Sequence, residues 1–336
     1  MLMLSSRRVK TAAFVFENDS PHLERLKKTV VSLGFLNTGV FLKSSGGDLD
    51  EFLGDLEAET VVLCGPLNLD GISKIFERFR SIIFSFATDI FIDSAEVDLA
   101  RSLTRAREGA SVVVDTKLAK AKLVSAGVDV EKIQIIPWSF GLENSSSSQE
   151  QQKIFPIRTP SLLFGRSLWP EEIYQPGTFV DLVELLASNF RQLHVTFIGD
   201  RAPDHISARL NQLNSITYTV SPRLEQSEFS KLIKQHDVYI QTNSTDGLSV
   251  SMLQSMAVGT PIVSTKTAGS LEAIDDGSSG ILFDPDDLEL VVPRIVNLLH
   301  SKTIYESFSQ KSKESFLRNY SKEASQEALA RLLFQR

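Results

Sequence analysis

Residues 242–285 read TNSTDGLSVSMLQSMAVGTPIVSTKTAGSLEAIDDGSSGILFDP. The strand-like run Val238–Gln241 ends in a polar turn, Asp246-Gly247 follows, and a helix opens near Ser249. Gly259-Thr260-Pro261 closes that helix, the strand Ile262–Thr265 follows, and Ala268-Gly269 starts another helix. Two strand–turn–helix units in succession carry the parts of a phosphate site. Glycine lets backbone approach a ligand where a Cβ would collide, and a helix N-terminus offers N–H groups and the positive end of a dipole. Asp246 stands just before the helix, and Gln254 lies eight residues on, well inside it. A carboxylate and an amide so placed can hydrogen-bond sugar and ribose hydroxyls beside the phosphates. Ser251-x-x-Gln254 equally fits a capping box, and Gly-Thr-Pro is ordinary punctuation. Spacing alone leaves both readings open.

Outward from this stretch, short β-branched apolar runs alternate with helical patterns, which indicates parallel sheets covered on both faces. In the first half Thr11–Phe16, Thr38–Leu42, Thr60–Cys64, Ser81–Phe86, Ala110–Asp115 and Lys132–Pro137 read as strands. Pro21–Leu33 reads as a helix with Ser20 as cap and Pro21 at its first position. Asp48–Leu56, Ile72–Arg80 and Lys117–Ala126 read as further helices, the last ending at Gly127. The run NSSSSQEQQ, Asn144–Gln152, has no apolar residue to bury and reads as a flexible linker. The second half restarts with strands at Pro160–Phe164, Leu193–Gly199 and Ile216–Val220, a helix at Phe179–Phe190, and a last strand at Gly280–Phe283. Leu288–Gln335 is helical almost throughout. The expected division is a first domain over 1–143, a linker over 144–158, a second domain over 159–302, and a helical tail over 303–336 that is a candidate to cross back to the first.

The 336 residues exceed one typical core and suggest two domains. At 42% hydrophobic and 23% charged, the chain can bury substantial cores and is not of the disordered class. A net charge of −7 argues against nucleic acid as a partner, which needs a basic face. The single cysteine, Cys64, permits no intrachain disulfide, reads as a core thiol, and fits a reducing cytoplasm. The opening MLMLSSRRVK places its arginines behind a very short apolar run, the wrong order for a leader. No apolar run approaches the roughly 18 residues of a membrane helix. The expectation is a cytoplasmic protein, soluble or peripheral on the inner face of the membrane. Lys27, Lys28, Arg101, Arg105, Arg107, Lys117, Lys120 and Lys122 sit on helices of the first half. They suit either contact with anionic lipid or an ordinary solvated face.

The opening stretch resembles the signature of the family-4 (group 1) glycosyltransferases, retaining enzymes of the GT-B fold. Their pattern runs E/D-G-x-S-x-x-x-L-E-A-M-A-x-G-x-P-V-V, then G-G-x-x-E-x-I-x-D-G-x-x-G. Asp246-Gly247, Ser249, Leu253, Met256-Ala257, Gly259, Pro261-Ile262-Val263, Gly269, Glu272, Ile274, Asp276-Gly277 and Gly280 fall in register. The resemblance implies an α/β protein of two Rossmann-like, doubly wound domains facing across a cleft, with the nucleotide sugar held by the second. It implies that Gly165-Arg166, after that domain's first strand, engages the diphosphate through forked donors. Gly199-Asp200 resembles the turn beneath the donor, and the segment Val220–Leu224 the pocket whose backbone reads the base. The amides of Leu248 and Ser249 would meet the donor phosphates, with Gly247 and Val250 beside them in the donor site, Asp246 would hold the sugar hydroxyls, and Gln254 the ribose, where the family commonly has glutamate. Ile136–Leu142 resembles the family's hinge stretch I-P-x-G-V-D. Three departures stand out. Glu171, Glu172 and Tyr174 follow Arg166 where a lysine is usual, although some subgroups read R-x-x-x-P-x-x-Y; the loop Glu17–His22 has no glycine; and Ser85–Asp89 has no histidine.

The resemblance therefore implies transfer of a sugar from a UDP- or GDP-linked donor to a glycan, lipid-linked or protein hydroxyl acceptor, with retention and without metal or other cofactor. Polysaccharide, glycolipid or glycoconjugate synthesis of the cell envelope is the implied setting. Other classes stay open. A metal-dependent transferase would use Asp48-Leu49-Asp50 or Asp284-Pro285-Asp286. A two-lobed periplasmic-type binding protein would need the leader that is not seen. A catalytically silent partner subunit of another glycosyltransferase would explain the departures.

Overall fold

The computed structural model describes residues 10–16, 21–33, 35–42, 49–56, 60–64, 80–84, 110–137, 139, 142, 153–167 and 171–334. The chain divides into two compact units, residues 1–141 with 322–336, and residues 142–321.

The first unit is built on β1 (Lys10–Phe16), α1 (Pro21–Ser32), β2 (Phe35–Leu42), α2 (Leu49–Asp55), β3 (Thr60–Cys64), β4 (Arg80–Phe84), β5 (Ala110–Val114), α3 (Lys117–Ser125) and β6 (Ile133–Ile135). Its strands pair in parallel in the order β2-β1-β3-β4-β5-β6. Strand side chains alternate between faces, and the valine-rich β5 shows the consequence. Val112 and Val114 join one core layer with Leu53, Val61, Leu63 and Leu123. Val113 joins the opposite layer with Phe14, Leu26, Val30 and Ile82. Thr116 caps α3 by accepting the Ala119 N–H at 3.2 Å, and Gly127, at φ +100, takes the left-handed turn that ends it. The helix expected over Ile72–Arg80 lies outside the described residues except for Arg80, which begins β4. Residues 17–20 of the Gly-free loop after β1, the Ser20 cap among them, and the segment Ser85–Asp89 also lie outside them.

The second unit comprises β7 (Ser161–Ser167), α4 (Glu171–Tyr174), α5 (Pro176–Ala187), β8 (Leu193–Ile198), α6 (Asp204–Asn211), β9 (Ile216–Ser221), α7 (Gln226–Gln235), β10 (Val238–Gln241), α8 (Val250–Val258), β11 (Ile262–Thr265), α9 (Ala268–Ala273), β12 (Ile281–Phe283), α10 (Leu288–His300) and α11 (Lys302–Asn319). The parallel order is β12-β11-β10-β7-β8-β9. The chain winds outward from β7 in one direction, then returns to β10 and winds the other way, so the topological switch lies between β7 and β10. Open sheets of this kind hold ligands at that point, beyond the carboxyl ends of the strands. Beneath it, Phe164, Phe179 and Phe197 stack within 4.9–5.8 Å of one another. The helix expected at Phe179–Phe190 starts earlier, because Gln175 at φ 46 turns the chain and Pro176 opens the first turn.

Lys153–Arg158, the far end of the expected linker span, is fixed to this unit. The Lys153 ammonium bonds the Asp237 carboxylate at 2.5 Å and the His236 carbonyl at 3.1 Å. Ile157 N–H donates to the Leu299 carbonyl. After α11 the chain leaves this unit, and α12 (Lys322–Phe334) puts Leu329, Leu332 and Leu333 into the core layer of the first. Among the described residues no helix is long and apolar enough to cross a membrane.

Candidate functional site

The carboxyl ends of β7, β10 and β11 meet three turns at the switch point. The turn after β10, residues 242–249, is tied down from both sides. The Thr242 hydroxyl, with one proton to donate, lies 3.0 Å from the Tyr174 carbonyl and 2.8 Å from that of Gln175. Ser244 gives its backbone N–H to Ile173 O and its hydroxyl to Glu172 O, each at 2.8 Å. These contacts cover the last carbonyls of α4 and that of Gln175 just beyond it, which a helix this short leaves open. On the other side, Thr265 Oγ1 donates to Asn243 O at 2.7 Å. Gly269 N–H donates to Asp246 O at 3.3 Å. A Cβ on Gly269 would lie 1.8 Å from Gly247 O. Gly269 is thus required by backbone pressed on backbone.

Asp246 is 8% exposed, and its Oδ2 accepts from Asn243 Nδ2 at 2.7 Å. That bond fixes the carboxylate at the mouth of α8. Ser249 is the N-cap of α8; its Oγ accepts the Met252 N–H at 3.4 Å. The capping box that Ser251 and Gln254 were expected to allow is not there. The box lies one helix later, where Thr267 and Ser270 exchange bonds at 3.2 and 2.8 Å to start α9. Leu248 is buried in the core with Met252, Leu253 and Met256, and Val250 packs against the same cluster. Only their backbone is placed to serve a ligand.

Gln254 is 5% exposed, and both Nε2 bonds go to α7: Gln226 O at 3.0 Å and Ser230 Oγ at 3.1 Å. The amide nitrogen is spent holding α7 against α8, so Oε1 is what Gln254 has for a ribose. Gly165 and Arg166 do not follow the strand as expected; they lie inside β7, whose pairing with β8 shifts register between Phe164 and Ser167. A Cβ on Gly165 would lie 1.7 Å from the Tyr239 ring, so this glycine makes room for an aromatic floor. The Arg166 side chain lies outside the described residues.

Gly199 ends β8, its N–H donating to Ser221 O at 2.8 Å, and Asp200 beyond it is exposed. Val220 turns its side chain to the core. Leu224, 36% exposed, lies in the turn before α7. Of Asp284-Pro285-Asp286, Asp284 stands just before the surface 3₁₀ turn Pro285–Asp287 and pairs with Lys266; that bond raises the Lys266 pKa. Asp48 lies outside the described residues. Among the described residues no three His, Cys, Asp or Glu side chains group to hold a metal ion.

Tyr239, Gln241, Asn243 and the short α4 belong to the site and escape the sequence motifs. The signal was there: Tyr239 and Gln241 are polar residues two apart in a four-residue strand that is wholly buried. Two polar groups on one face of a buried strand must be paired.

Residues 159–301 match the family described as Glycosyl transferases group 1. The putative glycosyltransferase EpsD of Bacillus subtilis (strain 168) is 26% identical over 139 residues, covering 41% of this chain and 36% of that protein. The sulfoquinovosyl transferase SQD2 of Arabidopsis thaliana is 23% identical over 138 residues, covering 40% of this chain and 27% of its own. The chain therefore spans about a third of the length of these curated relatives. The crystal structure of Anabaena Alr3699/HepE in complex with UDP superposes with a TM-score of 0.75 at 13% identity, covering 96% of this chain and 99% of the other. At that identity the likeness shows the fold alone, which is that of the GT-B glycosyltransferases.

Proposed function

We propose, from the premise that residues 159–301 are a group 1 glycosyl transferase domain in a chain of GT-B fold, that the second unit binds a nucleoside diphosphate sugar and the protein transfers the sugar to a hydroxyl acceptor with retention. The observation that carries this reading is the strand order. It brings the Gly165–Arg166 end of β7, the Asp246 turn and the N-terminus of α8 to one switch point. UDP is the favoured nucleotide, since the Anabaena protein of the same fold is crystallised with it.

In this reading the N-terminal turn of α8 and Arg166 stabilise the diphosphate as it leaves. The C1–O bond breaks with its electron pair passing to the diphosphate, and developing charge there is best met by preorganised dipoles and donors. Asp246, held by Asn243, accepts from sugar hydroxyls as the ring flattens. Gln254 Oε1 accepts from a ribose hydroxyl. The acceptor hydroxyl forms the new bond to C1 on the face the diphosphate leaves and passes its proton to the departing diphosphate oxygen. Metal independence belongs to the same proposal and rests on the helix terminus and Arg166 as the diphosphate's counter-charge. The acceptor is of glycan, lipid-linked or protein type, and contact with a membrane or with a partner glycosyltransferase belongs to the acceptor side.

Incubation with UDP-glucose, UDP-galactose and UDP-N-acetylglucosamine, followed by mass spectrometry for released UDP and transferred sugar, tests the activity. Proton NMR of the product reads the anomeric outcome, and an excess of chelator reads the metal requirement. Binding of UDP or GDP raises the melting temperature by mass action, measurably so at ligand well above a Kd of about 1 mM. Nucleotide binding without turnover of any donor marks the silent subunit instead; absence of both removes the proposal.

A further inference from the structure

The Tyr239 hydroxyl is buried under the switch point, where three elements of the site converge, and nothing in the proposed reaction uses it. Tyr239 is 0% exposed. Its Oη lies 2.7 Å from Ser251 Oγ on α8, 3.3 Å from Gly165 O on β7, and 3.3 Å from Gln241 Oε1 on its own strand. Ser251 Oγ lies 3.0 Å from Ser249 Oγ, the cap that accepts the Met252 N–H.

We propose that Tyr239 is a positioning residue that locks the Gly165–Arg166 end of β7 to the N-terminal turn of α8. Proton bookkeeping gives the lock a direction. A carbonyl and an amide oxygen only accept, and each hydroxyl has one proton to donate. The Tyr239 O–H is the donor, with Ser251 Oγ on α8 as its nearest acceptor at 2.7 Å and the Gly165 carbonyl on β7 as a second at 3.3 Å, while Ser249 Oγ, 3.0 Å from Ser251 Oγ, accepts the Met252 N–H. Gln241 Oε1 is a further acceptor, on a carboxamide held by its own Nε2 bond to Ser264 Oγ at 2.9 Å. Hydrogen bonds in such a chain polarise one another, so breaking one weakens the rest. The ring adds a floor. Gly165 has no side chain to set its position, and the Tyr239 ring fills the space where a Cβ would be. The spacing between strand end and helix start is thereby set from below, by a residue that does not touch the ligand.

This inference rests on the reading of that spacing as the diphosphate seat, and the experiment separates the two. UDP-induced melting shifts and UDP release from UDP-glucose are measured for the full chain and for Tyr239→Phe, Ser251→Ala and the double variant. Tyr239→Phe keeps the floor and loses the lock. Its turnover at saturating donor is expected to fall about tenfold, while donor KM moves by less than about threefold. Ser251→Ala should match it, and the double variant should be no worse than either single, as for groups in one chain. A purely structural tyrosine would lower the melting temperature and leave turnover unchanged. Should Tyr239→Phe fail to fold, Ser251→Ala carries the test alone. Unchanged turnover in Ser251→Ala, or losses that multiply in the double variant, overturn the lock with the donor site intact. A wild-type chain that shows neither a UDP shift nor UDP release overturns the donor-site reading and the lock together.

Discussion

At the scale of the residue, Asp246 and Gln254 carry different burdens although both are buried polar groups of the same turn and helix. Asp246 spends its Oδ2 on Asn243 and stands at the mouth of α8. Replacement by alanine is expected to lower sugar transfer by a factor of about 100 to 1,000, as for loss of one preorganised polar group. Nucleotide affinity should stay near wild type, and the split is checked by comparing UDP binding with turnover. Gln254 is a brace first. In Gln254→Glu the two N–H donors vanish and a carboxylate meets the Gln226 carbonyl, which also accepts. Although glutamate is the residue commonly found in proteins that this segment resembles, the variant should lose about 1–3 kcal/mol of stability and bind UDP no more tightly. Denaturant melts and UDP titration decide it; tighter binding with unchanged stability would show that the brace is unimportant. The two glycines that look alike in the sequence also differ. Gly165 makes room for a ring and Gly269 for a carbonyl.

At the scale of the element, strand and helix alternation was legible where apolar residues are dense and β-branched, as in β5, β10 and β11. The helices α6 and α7 escape that pattern. Their buried residues are few, Ile206 and Leu210 in one and Ile233 in the other, so a solvated amphipathic helix resembles a loop. The site was half legible. Motif spacing gave Asp246, Ser249 and Gly269, whose roles are local to the turn. The partners Asn243, Tyr239 and the carbonyl end of α4 depend on which strand lies beside which, and a linear pattern does not record that. The packing of α9 on the turn after β10 gives a direct test. Gly269→Ala drives a methyl group into the Gly247 carbonyl, and backbone on both sides leaves little room to relax. A loss of about 2–3 kcal/mol or more is expected, read as a lower melting midpoint; a neutral substitution would mean the two turns can part freely.

At the scale of the molecule, the second unit contains a pH-sensitive strut. His236 is buried, its Nδ1–H donating to Leu232 O at 2.7 Å and its Nε2 accepting from Thr196 Oγ1 at 2.8 Å. Thr196 continues through Thr219 to His194. Burial lowers the pKa of His236 below its ordinary 6.5, with the Leu232 bond opposing, and burial also lowers that of His194. In the window below 6.5 the unfolded chain therefore binds protons that the folded one refuses, so stability rises with pH there and is lost as pH falls. The melting temperature should drop between about pH 7 and pH 5 more steeply in the wild type than in His236→Gln; parallel slopes would remove the strut. The same unit, Leu142–Ser321, should fold and bind UDP as an isolated fragment, because the turns that meet at its switch point come from its own strands.

The return of α12 has a consequence for the order in which the protein is made. Its leucines complete a core layer begun by Ala12 and Phe14, yet they leave the ribosome only after the whole second unit. Domains synthesised first generally fold first. Here the sheet translated first lacks the three leucines of α12 from one core layer while the unit translated after it closes. During that interval the early half is the part exposed to chaperones and proteases, and a premature stop just after Ser321 would injure the beginning of the chain rather than its end.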